Sequence, residues 1–269
     1  MTLAALALVL GSAAVHALWN ALLADADDTY GTTAVMLVAG VVLFAPVAAL
    51  TWNVDGEALP YVLGSGALEL VYFGLLATAY ARADLTFVYP VARGSAPVIV
   101  LVVSVAALGA AVSGLQAAGV LVVAAGVLLV RGLGRGRGAD LALALAVGAC
   151  IAGYTLVDDH GLEHADPIPY LALVLLVAAV PYAAVVGPTA MRAALSPRAV
   201  LAGAGMFLAY VLALAALQRA EAAPVAALRE TSVVMAAIGA AVWGRARVPV
   251  TRMLGAALVV AGVAAIALG

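Results

Sequence analysis

An arginine lies well inside an apolar segment, where a lone charge is costly. Arg93 stands in the segment 89–97, which reads YPVARGSAP and has no other charge. An uncompensated arginine in a bilayer costs at least ~2.5–3.5 kcal/mol, so such a residue faces a protein interior or a watery cavity. Pro90 and Pro97 bracket it, and we expect them to loosen the helix. Arg229 repeats the situation 136 residues later. Both arginines are candidates for substrate contact or gating, with a purely structural clamp as the alternative.

A polar group on a helix face accompanies each arginine. His16, Trp19 and Asn20 share one face through their i, i+3, i+4 spacing, and Tyr154 and Asp158 are also four residues apart. At 1.5 Å per residue, each arginine lies roughly 10–12 Å from its end of the helix. The two helices enter from opposite sides. The sequence therefore predicts one arginine and one polar group in each half of the membrane, an arrangement suited to two alternating gates.

Glu69 is the carboxylate nearest the middle of an apolar segment in the first half of the chain. It could bind a substrate ammonium or exchange protons, and the alternative is a permanent pair with Arg93 or Arg229. Tyr72 shares its face at i+3. Glu230 adjoins Arg229, and because sequence neighbours on a helix do not face each other, Glu230 needs another partner.

Further aromatic residues could line the same space. Tyr89 precedes Arg93 by one helical turn, Tyr210 falls near the repeat counterpart of Phe73, and Trp19 lies within a helix rather than at an interface. For each of them the alternative is ordinary packing.

One connecting segment is rich in potential metal ligands. We attribute its polarity to exposure and predict no metal and no cofactor. Its residues are Asp159, His160, Glu163, His164 and Asp166.

Several function classes are excluded or disfavoured. The chain has no lysine, which rules out a P-loop and Schiff-base chemistry. It contains no recognisable nucleophile–base pair, so we predict that it is not an enzyme. The net charge of −2 and the lack of a basic stripe argue against nucleic-acid binding.

The composition is that of a polytopic membrane protein. Of the 269 residues, 67% are hydrophobic and 10% are charged, against about 25% charged in an average soluble domain. The mean hydropathy is +1.20. A spanning helix needs about 20 mostly apolar residues. Ten segments qualify: 2–23, 30–51, 58–80, 85–108, 113–131, 139–157, 167–188, 197–218, 222–243 and 249–268.

The two halves of the chain resemble each other. Arg93 matches Arg229 at an offset of 136, and Asn20 matches Asp158 at 138. We therefore predict two five-helix repeats, residues 1–134 and 135–269. Because five is odd, the second repeat is inserted upside down, as in many secondary transporters with a central cavity.

The arginines also predict the orientation. The odd-numbered loops hold most of them, which by the positive-inside rule makes these loops cytoplasmic and places both termini outside the cell membrane. The arginines concerned are Arg82, Arg135, Arg137, Arg192, Arg198, Arg245 and Arg247.

Glycines recur at seven-residue spacing in the fifth and tenth segments. They let helices approach closely, either each other or a second copy of the chain, so the sequence leaves monomer and homodimer open. They are Gly119, Gly126, Gly255 and Gly262.

Three stretches resemble signatures of EamA-type transporters of the drug/metabolite transporter superfamily. They read HALWNALL at 16–23, YPVARGSAP at 89–97 and ALRETSV at 227–233. The resemblance implies a ten-helix bundle of two inverted repeats around a central cavity. It also implies secondary transport, often export, of small metabolites such as amino acids. Many relatives carry an acid at the end of helix 9, but here residues 243–247 read WGRAR.

We therefore expect a secondary active exporter that works by alternating access in the lipid bilayer, with protons as a candidate coupling ion. Arg93 or Arg229 would hold a substrate carboxylate, and Glu69 an amine or a proton. The alternative is a translocase of a lipid-linked substrate, whose phosphate head group the arginines could bind.

Overall fold

A computed structural model of the chain is helical throughout the part that it describes, residues 1–23, 28–82, 85–131, 138–244 and 249–269. In these ranges the only β-type pairing is an isolated antiparallel bridge between Val54 and Ala165. The all-helical membrane fold predicted from the composition is thus present.

Twelve α-helices and one 3-10 turn follow each other along the described residues. The 3-10 turn is Gly56–Ala58. The helices are α1 Leu3–Leu23, α2 Thr29–Leu50, α3 Leu59–Arg82, α4 Leu85–Ala106, α5 Gly114–Arg131, α6 Gly138–Gly161, α7 Pro167–Val186, α8 Pro188–Ala194, α9 Pro197–Leu217, α10 Ala222–Arg229, α11 Thr231–Gly244 and α12 Val250–Leu268.

Nine segments of the described chain are long and apolar enough to cross a membrane, and one of them, Ala222–Gly239, combines α10 with most of α11. The tenth predicted segment is α5, whose apolar part Gly114–Val130 is shorter. The chain is therefore a multi-pass membrane protein.

The predicted span 222–243 is wrong as a single helix, because it breaks at Glu230. The Glu230 N–H donates to the carbonyls of Ala227 and Leu228, and the Thr231 hydroxyl donates to the Leu228 carbonyl at 2.8 Å. These bonds satisfy the carbonyls at the end of α10, as helix ends in an apolar environment require. In contrast, α4 continues through Pro90 and Pro97, so the expected loosening does not interrupt that helix.

Two other boundaries differ from the sequence prediction. Helix α6 extends to Gly161, so Asp159 and His160 lie in its last turn rather than in a loop. Helix α7 ends at Val186 because Gly187 adopts φ 81°, which favours glycine, and Pro188 then starts the short helix α8.

Several predictions fall outside the described residues. They concern the arginine-rich connections that contain Arg135, Arg137, Arg245 and Arg247.

Helix contacts between the two halves of the chain occur in corresponding pairs. Helix α1 packs against α9, and α6 packs against α3. Likewise α9 contacts α2, and α3 contacts α7. Helix α6 packs on α4, whereas α1 packs on α10 and α11. These contacts interleave the two halves, so the space between the helices is lined by both.

The glycines of α5 and α12 face each other. A Cβ on Gly126 would lie 2.8 Å from the Gly255 carbonyl oxygen, and one on Gly262 would lie 2.7 Å from the Gly119 carbonyl oxygen. The sequence left open whether these four glycines bring the two helices together or bind a second copy of the chain. They bring α5 and α12 of the same chain into backbone contact.

We expect Gly262→Ala to destabilise the protein, although alanine favours a helix more than glycine by about 1 kcal/mol. The added methyl group collides with backbone, and overpacking of this kind costs about 1–3 kcal/mol. Gly74→Ala in α3 is the control, since nothing lies within 4 Å of its added Cβ. Thermal unfolding of the purified variants in detergent measures the difference. Equal unfolding temperatures for both variants would contradict the close packing.

Candidate substrate and gating site

Arg93 joins three elements through one buried guanidinium group. It projects from α4, is 7% exposed, and donates from Nη1 to Glu230 Oε1 at 3.1 Å. Its Nη2 lies 2.5 Å from His16 Nε2 on α1. A guanidinium has only donors, so the histidine nitrogen accepts, which requires a neutral ring with its proton on Nδ1. Arg93 therefore ties α1 and α4 to the junction between α10 and α11.

The break between α10 and α11 positions the Glu230 carboxylate. Glu230 caps the end of α10 and is only 2% exposed. The ion pair that it forms is with Arg93 from the other half of the chain and not with its neighbour Arg229. The two guanidinium groups line the same cavity. The division into two gates in opposite membrane halves stays a prediction.

Asp158 on α6 is held by tyrosine hydroxyls. Tyr170 on α7 donates to Oδ1 at 3.0 Å, and Tyr210 on α9 donates to Oδ2 at 2.5 Å. Asp158 is 1% exposed. Both oxygens accept a hydrogen bond, which is how a buried carboxylate is stabilised in its charged form. Sequence reasoning missed Tyr170, since its position near the start of a predicted helix carries no signal that it faces Asp158.

Glu69 and Arg229 complete the group of buried charges. Glu69 on α3 is 3% exposed and lies within electrostatic range of Asp158, Arg229 and the Tyr210 hydroxyl. The Arg229 guanidinium carbon sits 5.2 Å from the centre of the Tyr210 ring, a cation–π distance. Tyr210 thus contacts Asp158 through its hydroxyl group and Arg229 through its ring.

The predicted aromatic residues form a connected wall. The rings of Tyr72 and Tyr154 lie 6.0 Å apart, and those of Tyr154 and Tyr210 lie 5.8 Å apart. Arg93 stands 5.5 Å from the centre of the Tyr89 ring. These distances are typical of aromatic and cation–π contacts, so ring faces help to hold both arginines, and Arg93 also has its ion pair with Glu230.

Trp19 and Asn20 flank His16 without entering the charged group. The Trp19 ring meets the His16 ring edge-on at 4.9 Å and 76°. The Asn20 amide donates to the His16 carbonyl of its own helix at 2.8 Å. Trp19 therefore orients the imidazole, whereas Asn20 satisfies backbone in α1.

Two spaces adjoin Arg93 on different sides. The apolar space is lined mainly by apolar and aromatic side chains of α3, α4 and α6, including Tyr72 and Tyr89. The charged space is lined by both arginines and Glu230. Each has a volume of about 10 Å³, which is room for about one water molecule. Arg93 and Ile151 border both spaces, so the Arg93 side chain forms part of the partition between them.

The polar connection after α6 is built on aromatic stacking. His164 Nδ1 lies 3.3 Å from Glu57 Oε2, and its ring stacks on Tyr61 at 5.7 Å. The His160 ring lies 6.4 Å from the same tyrosine ring. No group of three or more metal-ligating side chains occurs among the residues that the structure describes.

Comparison with known proteins identifies the second half of the chain. Residues 139–268 match the EamA-like transporter family. A solved structure, titled only as the crystal structure of a protein, aligns over 98% of both chains with a TM-score of 0.77 and 18% sequence identity. That likeness concerns the fold alone. No curated protein matches the sequence significantly.

We expect Arg93→Met and Glu230→Met to destabilise the protein by about 3–5 kcal/mol each, because either leaves an uncompensated buried charge. The double variant Arg93→Met/Glu230→Met removes both charges and should be more stable than either single variant. Chemical unfolding in mixed micelles, analysed as a double-mutant cycle, measures the coupling.

Glu57→Gln is the matched control, since Glu57 is 81% exposed in its pair with His164. Loss of this exposed pair should change the free energy of unfolding by less than about 1 kcal/mol. Strictly additive effects of the Arg93 and Glu230 substitutions would show that the pair does not stabilise the fold.

Proposed function

We propose that the chain is a secondary active transporter that exports small metabolites such as amino acids. The match of residues 139–268 to the EamA-like transporter family supports this proposal. The observation that carries this proposal is the buried group of charges between two spaces, formed by helices of both halves of the chain. Intramembrane charges are expensive and typically mark a substrate or ion pathway.

The proposed architecture is ten spans in two inverted repeats, residues 1–134 and 135–269, around a central cavity. The corresponding helix contacts support it, as do the paired positions of Arg93 and Arg229. The mutual contact of α5 and α12, which are counterparts at an offset of 136 residues, is also expected of such symmetry.

Alternating access would act through the partition at Arg93. Separating Glu230 from Arg93 would join the two spaces, and the break between α10 and α11 offers a hinge for that movement. Breaks in spanning helices commonly form substrate sites in transporters, because they free polar backbone at mid-membrane depth. A substrate would shift the equilibrium between states by binding one of them more tightly.

The walls of the two spaces suggest the chemistry of the substrate. Aliphatic and tyrosine side chains surround the apolar space, and two arginines border the charged space. A small carboxylate with a modest apolar part fits both features. Translocation of a lipid-linked substrate is the second hypothesis, because the two arginines could also bind a phosphate head group.

The proposed setting is the cell membrane, with the odd-numbered loops in the cytoplasm and both termini outside. In the described part of the chain, Arg192 and Arg198 lie on the cytoplasmic side in this orientation, within α8 and at the start of α9. Accessibility of single cysteines introduced into these loops tests the orientation.

We expect Arg229→Gln to weaken substrate binding at least tenfold, because a charge-assisted hydrogen bond to a carboxylate contributes about 1.5–3 kcal/mol. The assay is counterflow in proteoliposomes that contain the purified full chain, with an equimolar mixture of radiolabelled amino acids as probe. Uptake by exchange requires no coupling ion, so it reports substrate passage alone.

Arg192→Gln provides the matched control. It replaces the same residue type in the short interfacial helix α8, outside the buried group, and should leave counterflow unchanged. Absence of counterflow for every amino acid in the wild type would overturn the proposed substrate class. Counterflow unaffected by Arg229→Gln would remove this arginine from the site.

A further inference from the structure

Glu69 differs from the other buried carboxylates in the described part of the chain. Glu230 has Arg93 as its ion-pair partner, and Asp158 accepts hydrogen bonds at both oxygens. Among the described residues Glu69 has no arginine or histidine nitrogen within 4.0 Å. It is nevertheless only 3% exposed. A buried, unpaired carboxylate costs so much free energy that such a group takes up a proton instead.

The count of charges leads to the same conclusion. The group contains two arginines, of which Arg93 is buried and Arg229 half-buried, and three buried acidic residues, Glu69, Asp158 and Glu230. His16 accepts a hydrogen bond from Arg93 and is neutral. Two positive charges balance two carboxylates, so one acidic residue must be neutral for this group of described residues to carry no net charge. Glu69 is that group, because the other two are stabilised as anions by their partners.

The surroundings of Glu69 disfavour a second negative charge. Asp158 is a neighbouring carboxylate, and like charges in a shared buried site oppose each other's ionisation. Glu69 also lines neither of the two spaces beside Arg93. The titratable and charged groups that interact electrostatically with it from α6, α9 and α10 are Cys150, Tyr154, Asp158, Tyr210 and Arg229.

We propose that Glu69 carries one exchangeable proton in this closed state and is the proton-binding site of the transporter. On opening, the carboxylic O–H bond breaks, the proton passes to water on the open side, and the resulting carboxylate binds the substrate ammonium. One proton is then exchanged for one cationic group at the same oxygen atoms. The proton site is inferred from the burial of Glu69 and from the charges around it. The coupling of proton binding to substrate binding rests on the proposed transport function.

Infrared difference spectroscopy tests the proton site without any ligand. The full chain, reconstituted in lipid, is titrated between neutral and alkaline buffer. We expect the carbonyl-stretch band of a protonated carboxyl group at neutral pH. It should disappear in alkaline buffer and shift in D₂O. In Glu69→Gln this band should fall to background, whereas Glu163→Gln, which replaces an exposed glutamate, should leave it unchanged.

Two outcomes would overturn the assignment. The wild type could lack the band, or Glu69→Gln could retain it. The unfolding temperature shows whether Glu69→Gln is folded. If it is not, Glu69→Asp supplies the test, because a shortened side chain in the same position should keep the band at a shifted frequency.

Coupling is measured separately, as amino-acid transport driven by a pH gradient across the proteoliposome membrane. We expect gradient-driven transport in the wild type and in Glu163→Gln, and its loss in Glu69→Gln. Wild-type counterflow without any response to the gradient would overturn coupling while leaving transport intact. If wild-type counterflow is itself absent, the transport proposal fails, and the infrared band still decides whether Glu69 binds a proton.

Discussion

The structure depends on neutralising charge in an interior that water does not reach. Taking an ion out of water costs several kcal/mol even after the protein relaxes, so each buried charge needs a partner of good geometry. Arg93 meets this requirement with Glu230 at 3.1 Å and with His16 at 2.5 Å. Because these partners lie on different helices, the requirement of one side chain fixes the relative positions of α1, α4 and the junction of α10 with α11.

The same bundle contains a part that resists movement and a part that permits it. Helices α5 and α12 touch through glycine backbone, where even one added methyl group would collide. The α10–α11 junction is held to the other half of the chain by a polar interaction, the Arg93–Glu230 ion pair. Packed cores deform poorly, whereas interfaces have discrete alternative arrangements. A rocking movement would therefore leave α5 and α12 in contact and occur across the Arg93–Glu230 pair.

The sequence predicts which residues are costly but not which residues meet. Helices, spans and the buried arginines follow from hydropathy, because a charge in an apolar run is visible without any structure. The pairing of Arg93 with Glu230 spans 137 residues, and helix periodicity carries no information across that distance. Tyr170, the break at Glu230 and the short helix α8 also depend on tertiary partners or on local backbone angles that composition does not specify.

The charged site arises where the two similar halves differ. At an offset of 136 residues Arg93 corresponds to Arg229, but Gly94 corresponds to Glu230 and Glu69 corresponds to Gly205. Each half thus keeps its arginine while the acids at these positions occur only once. The single Glu230 neutralises the arginine of the other half, which leaves Arg229 beside Asp158 and Glu69. If both halves carried the same acidic residues, the chain would have either two equivalent ion pairs or none. The unequal distribution instead gives one ion pair that joins the two halves, whereas no carboxylate oxygen of the described residues lies within 4.0 Å of an Arg229 nitrogen.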